Sequence, residues 1–119
     1  MKIAVTSQGN TLESSVDPRF GRAAGFVVYD DDSGEFTYMD NDQNLQLAQG
    51  AGIQAAQNVA ATGARTVITG HVGPKAFMAL KQGGIEVFLG AAGNVGQALQ
   101  AYKDKKLQIA DAPDKDSHW

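Results

Sequence analysis

The chain has no cysteine among its 119 residues. That absence excludes disulfides, thiolate-bound zinc, cysteine-ligated iron–sulfur clusters and any cysteine nucleophile. A long apolar run is missing too. The opening MKIAVTSQGN carries one Lys and a short hydrophobic stretch, far short of an export signal or a bilayer span, so a soluble cytoplasmic protein is expected. There is no excess of positive charge: ten Lys and Arg against thirteen Asp and Glu give a formal charge of −3. This argues against a general nucleic-acid binder, which needs a basic face to release counterions. Carboxylates are absent from the apolar segments Lys2–Thr6 and Thr66–Thr69, where two-metal hydrolysis would need them to converge. No G-x-S-x-G elbow occurs, which removes the serine-hydrolase reading. These exclusions favour a binding protein over an enzyme.

What is present is glycine in a pattern. Gly50-Ala51-Gly52, Gly70-His71-Val72-Gly73-Pro74 and Gly90-Ala91-Ala92-Gly93-Asn94 each open a helical segment, and the last two follow short apolar strands. Such a turn exposes backbone N–H groups at the positive end of a helix, ready for an anion. Gly50-Ala51-Gly52-Ile53-Gln54-Ala55 also matches the dinucleotide pattern G-x-G-x-x-A. Polar residues 42–49 precede it instead of a strand, however, and no acidic residue stands about twenty positions on, so a dinucleotide site is rejected. A mononucleotide or other phosphate at Gly70 or Gly90 stays open as an alternative, because phosphate suits the same amides.

Hydrophobic periodicity orders the rest. Lys2–Thr6 reads as a buried strand, and Phe26–Tyr29 pairs with 35–40 in a hairpin whose turn is Asp30-Asp31-Asp32-Ser33-Gly34. Residues 48–62 have helical spacing and stop at Gly63, Thr66–Thr69 is a strand, and Pro74–Gln82 is a helix ended by Gly83-Gly84. Ile85–Leu89 is the next strand, and Val95, Ala98, Leu99 and Tyr102 recur at helical spacing on a last helix. Alternating strands and helices demand parallel strands with right-handed crossovers. The expectation is one α/β domain over residues 1–105 and a polar tail over 106–119. The domain is expected to be a three-layer fold, with a mixed five-stranded sheet, an N-terminal β-hairpin and three helices. Ligands of such sheets sit outside the carboxyl ends of the parallel strands, here at the loops after Thr6, Thr69 and Leu89.

The long connection after the first strand contains Ser15-Val16-Asp17-Pro18-Arg19-Phe20-Gly21-Arg22-Ala23. It resembles the S-x-D-x-R-F-G-R-A signature of the dinitrogenase iron–molybdenum cofactor biosynthesis family. Asn44 with Gly50–Ala56, then Gly70–Ala76 and Gly83–Val87, are similar to further blocks of that family, so the resemblance covers residues 2–102. It implies a ribonuclease-H-like fold. For a stand-alone form without thiols it implies a non-covalently held molybdenum–copper sulfide cluster, with a carrier of nitrogenase cofactor precursors as the alternative. The implied partner is the inorganic cluster, with protein partners unidentified and neither nucleic acid nor membrane involved.

A sulfide cluster brings its own metal ligands; from the protein it needs donors for its charge and apolar walls for its sulfurs. The amides of Gly70, Gly73, Gly90 and Gly93 are candidate donors beside Asn94, each helix end contributing about 0.3–1 kcal/mol, with Gly50 and Gly52 as a third turn. Phe20, Val72, Pro74 and Ala91 are candidate walls. Arg19 and Arg22, on either side of Phe20 and Gly21, form a candidate clamp, or are solvated loop residues, or pair with Asp17. His71 is placed to donate to a sulfide or to ligate copper, or is simply exposed. Lys75, Met39 and Met78 read as surface or packing residues, Asp30-Asp31-Asp32 as an acidic turn rather than a metal site, and His118 as tail. Most weight falls on the turns at Gly70 and Gly90, with Gly50 third.

Overall fold

A computed structural model describes residues 1–45, 47 and 50–113. In chain order it contains β1 (Lys2–Ser7), β2 (Gly25–Asp30), β3 (Phe36–Asp40), α1 (Asp42–Leu45), α2 (Ala51–Ala61), β4 (Ala64–Ile68), α3 (Pro74–Gln82), β5 (Glu86–Leu89), α4 (Val95–Lys103) and β6 (Gln108–Ile109). One sheet runs β3-β2-β1-β4-β5-β6. β1, β4 and β5 are parallel, β2 pairs antiparallel with both β1 and β3, and β6 closes the other edge antiparallel to β5.

β1 is central, and Ile3 to Ser7 are all buried because both faces of the sheet are covered. Alternation along the strand divides its side chains between two cores. Ala4 joins Phe20, Phe26, Val59, Phe77 and Leu80 under α2 and α3. Ile3 and Val5 join Val27, Ile68, Val95 and Leu99 under α4. Each fully buried Leu, Ile or Phe side chain stabilises the fold by about 1.5–3 kcal/mol.

Among the described residues the sheet has six strands where five were expected, and four helices replace three. The sixth strand is only Gln108–Ile109, paired with Phe88 and Leu89. Two residues carry no periodicity to read; they are recruited by the β5 edge, with the Ala110 N–H donating to the Val87 carbonyl at 2.8 Å. The extra helix, α1, is a single turn held from outside. The Asn44 amide donates to the Asn41 side chain, and Asn41 Nδ2 donates to the carbonyls of Gly21 (3.2 Å) and Ala23 (2.9 Å). The start of the helix expected over 48–62 lies partly outside the described residues, as do His118 and Trp119. No helix among the described residues is long and apolar enough to cross a membrane.

Candidate functional site

The carboxyl ends of β1, β4 and β5 are stitched together by the loops that follow them. Thr6 Oγ1 donates to the Asp17 carbonyl at 2.6 Å and lies 3.0 Å from Thr69 Oγ1. Asp17, buried, accepts from the Arg19 and Ala24 N–H groups at 3.1 and 3.2 Å, which holds the 18–24 turn in shape. The His71 N–H donates to the Pro18 carbonyl at 2.8 Å. That crossing is so close that a Cβ on Gly70 would stand 2.8 Å from the same carbonyl oxygen, so the packing of the two loops by itself requires glycine at 70.

Three helices start at this edge, on two faces of the sheet. On the α4 face the amides are already engaged. The Val95 and Gly96 N–H groups donate to the carbonyls of Ser14 and Leu12 at 2.9 and 2.8 Å. Asn94 caps the Gln97 N–H, and Gln97 returns the bond to Asn94 as a capping box. The Gly90 and Ala91 N–H groups donate to the carbonyls of Gly70 and Thr69, both at 3.2 Å. Gly90 and Gly93 have φ of 83° and 77°, which accounts for glycine at both positions without a ligand. The α4 end, expected to be a principal donor, is therefore largely closed by residues 12–16.

The other face is different. α2 begins after Gly50 and α3 after Gly73, and neither cap residue offers a side-chain acceptor. Among the described residues, no acceptor meets the N–H groups of Ala51, Gly52, Lys75 or Ala76. The two helix ends lie side by side: a Cβ on Gly52 would stand 2.9 Å from Ala76 Cβ. Their positive ends therefore add at one place. Beside them lies an open hollow of about 320 Å³ lined by Ile53, Pro74, Lys75, Met78, Ala79 and Gln82. It contains a cation and no carboxylate.

The remaining candidates divide. Phe20 and Val72 are fully buried in the core and form no wall of an open site, and Gly21 is buried with them. Arg22 reaches the approach to α2, where its Nη1 donates to the Leu47 carbonyl at 2.8 Å. It is Arg19 that stands near Asp17, at 3.9 Å, with about half of its side chain exposed. Gly70, His71 and Gly90 come together in a second groove of about 370 Å³, walled by Gln108 to Ala112 and including Asp111. A carboxylate there works against an anion. Among the described residues no three His, Asp or Glu side chains gather as a metal-ligand set. Lys75 and Met78, expected as surface or packing residues, line the first hollow. The signal for them was spacing: 75, 78, 79 and 82 share one face of α3.

Burial raises the Tyr38 phenol on β3, while the other displaced ionisations lie at the opposite end of the sheet. Asp32 accepts from the Met1 amine at 2.7 Å, and this bond holds the amine above its ordinary value. The Asp32 N–H donates to Asp30 and lowers its carboxyl. Asp31 stands 3.5 Å from Lys103. The Asp30–Asp32 run is a hairpin turn that grips cations of its own chain.

Comparison with known proteins gives the family and relatives of the same fold. The family described as dinitrogenase iron-molybdenum cofactor matches residues 1–105. The apo form of the orange protein from Desulfovibrio gigas is 48% identical, with a TM-score of 0.93 and 96% of each chain covered. A NifB-like protein from Thermotoga is 32% identical, with a TM-score of 0.81 and 91% of each chain covered. An uncharacterised protein of Methanocaldococcus jannaschii is 28% identical over 110 residues, 91% of this chain and 90% of its own length.

Proposed function

The chain belongs to the dinitrogenase iron–molybdenum cofactor family, and we propose that it is a binding protein that holds an anionic molybdenum–copper sulfide cluster without covalent attachment, as carrier or store. The observation that carries this reading is the pairing of the α2 and α3 N-termini beside a carboxylate-free apolar hollow. Ala51, Gly52, Lys75 and Ala76 supply N–H donors, the Lys75 side chain supplies a positive charge, and Ile53, Pro74, Met78 and Ala79 supply contact for sulfur. Arg22 positions the approach to α2 through Leu47. The chain has no thiol, and a cluster that carries its own sulfide ligands needs none. The strand order 3-2-1-4-5 with β2 antiparallel supports the ribonuclease-H-like reading of the fold, β6 being an addition at its edge.

The family name favours one second reading, a carrier of an iron–molybdenum cofactor precursor. Both are tested together. Protein purified anaerobically from its native source is expected to be coloured and to contain molybdenum, copper and acid-labile sulfide. Iron in place of copper would establish the second reading. Colourless protein that also takes up no tetrathiomolybdate with copper would refute both.

A further inference from the structure

The two edges of the sheet are finished differently. One ends in β6, which is only two residues long. The other is β3, five residues with no lysine, no proline and no bulge in its pairing with β2. Short length, lysine, proline and bulges are the devices that keep an edge from pairing with another chain. Which groups β3 leaves open follows from the alternation of an antiparallel pair. The Asp30 N–H donates to the Glu35 carbonyl at 2.8 Å, and the Asn41 N–H to the Ala24 carbonyl at 2.9 Å. Odd-numbered main-chain groups of this segment therefore face β2. Those of Phe36 and Tyr38 face outward, with no main-chain partner among the described residues.

The side chains around this edge define what it takes. Phe36 and Tyr38 stand opposite Tyr29 and Val27, so both rings lie on one face of the sheet. Tyr38 lies across Gly25, where a Cβ would collide with its phenol ring, while Phe36 is 39% exposed. Carboxylates flank the strand: Asp30, Asp31, Asp32 and Glu35 before it, Asp40 and Asp42 at its close. The Met1 amine and Lys103 answer those of the turn. Among the described residues no cation pairs with Glu35, Asp40 or Asp42.

We propose that the β3 edge docks an extended segment of a partner protein, with alternating apolar residues and lysine or arginine at its ends. Main-chain bonds to Phe36 and Tyr38 supply affinity, the two rings take apolar side chains, and the carboxylates select basic flanks. A second copy of this chain is the wrong occupant. Antiparallel pairing of β3 with itself about Tyr38 sets Phe36 against Asp40 and gathers the unpaired carboxylates of both copies, and like charges across strands destabilise a pair. The charges that guard this edge against self-association thus mark it for a basic strand. The surface is independent of what the α2 and α3 ends hold.

The test is calorimetric titration of the full chain at low ionic strength with the capped peptide KKTVTVTVKK. Controls are EETVTVTVEE and KKTVPVTVKK, the second keeping the charge while breaking the strand. The first peptide is expected to bind at least about tenfold more tightly than either control. In amide hydrogen exchange Phe36 and Tyr38 should exchange fast in the free chain and slow on adding that peptide, while Thr37 and Met39 are slow throughout. Phe36→Pro removes one outward N–H and none facing β2, and should weaken binding about tenfold. Phe36→Lys should do the same by repulsion, and serves if the proline variant fails to fold in circular dichroism melting. Glu35→Gln with Asp40→Asn should weaken binding about fivefold, with the loss shrinking as salt is added. Equal binding of all three peptides, or amides of Phe36 and Tyr38 that stay fast at saturation, would overturn the proposal. So would self-association of the chain through β3, or no binding of the first peptide.

Discussion

The two faces of this sheet offer the same motif and put it to opposite uses. α4 begins after a glycine-rich turn, as do α2 and α3, yet its first amides are spent on Leu12, Ser14 and Asn94. On the opposite face α2 and α3 begin at bare glycines, their ends packed together at Gly52 and Ala76. A helix N-terminus attracts an anion only where its N–H groups are still available. Local composition cannot distinguish a capped end from an open one when the acceptors come from a distant loop.

The contrast can be broken at several points. The largest effect is expected from Gly52→Val. Its side chain has no room against Ala76, so the helix ends must separate, with a loss of about 1–3 kcal/mol in stability and loss of tetrathiomolybdate retention; melting and dialysis read the two effects separately. Asn94→Ala removes the α4 cap and should cost about 1 kcal/mol in a denaturant titration, while anion retention stays at the wild-type level. Weakened retention in that variant would move the site to the α4 face. Lys75→Glu reverses the charge at the hollow and is expected to weaken retention about tenfold at low ionic strength, with the difference shrinking as salt is added.

The smallest effect belongs to the far end of the sheet. The Met1 amine is raised above its ordinary 8.0 by its bond to Asp32, so its stabilising contribution is complete below pH 8 and is lost as pH rises through the folded value. Asp30 is lowered from 3.8 by the Asp32 N–H, so its contribution is present above that pH and lost as pH falls through the lowered value. Melting temperatures should therefore decline slightly on the alkaline side in wild type and not in Asp32→Asn, while anion retention is the same in both.

Elements with their own periodicity were legible. The α3 bounds, Pro74 to Gln82, follow from proline at the first helical position and Gly83-Gly84 after the last. The β2–β3 hairpin follows from its alternation and turn. β6 and α1 were not legible, since the first exists through pairing with β5 and the second through the Asn41–Asn44 bond. The helix starts after Gly50 and Gly73 were legible as turns, whereas the packing of Gly52 against Ala76 was not. Phe20 shows the limit: an aromatic in a loop motif looks available, but it packs 5.5 Å from Phe26, centroid to centroid, with no exposed surface.

By itself the amino-acid sequence determined which periodic segments are strands and helices, that the strands alternating with helices run parallel, and that no thiolate of this chain can hold a metal, because these depend on local periodicity and on an absence. Tertiary structure decided which of the three glycine turns is open. Residues 12–16 fold over one helix end and spend its amides, while the Gly52–Ala76 contact sets the other two ends beside each other, with no acceptor on their first amides among the described residues.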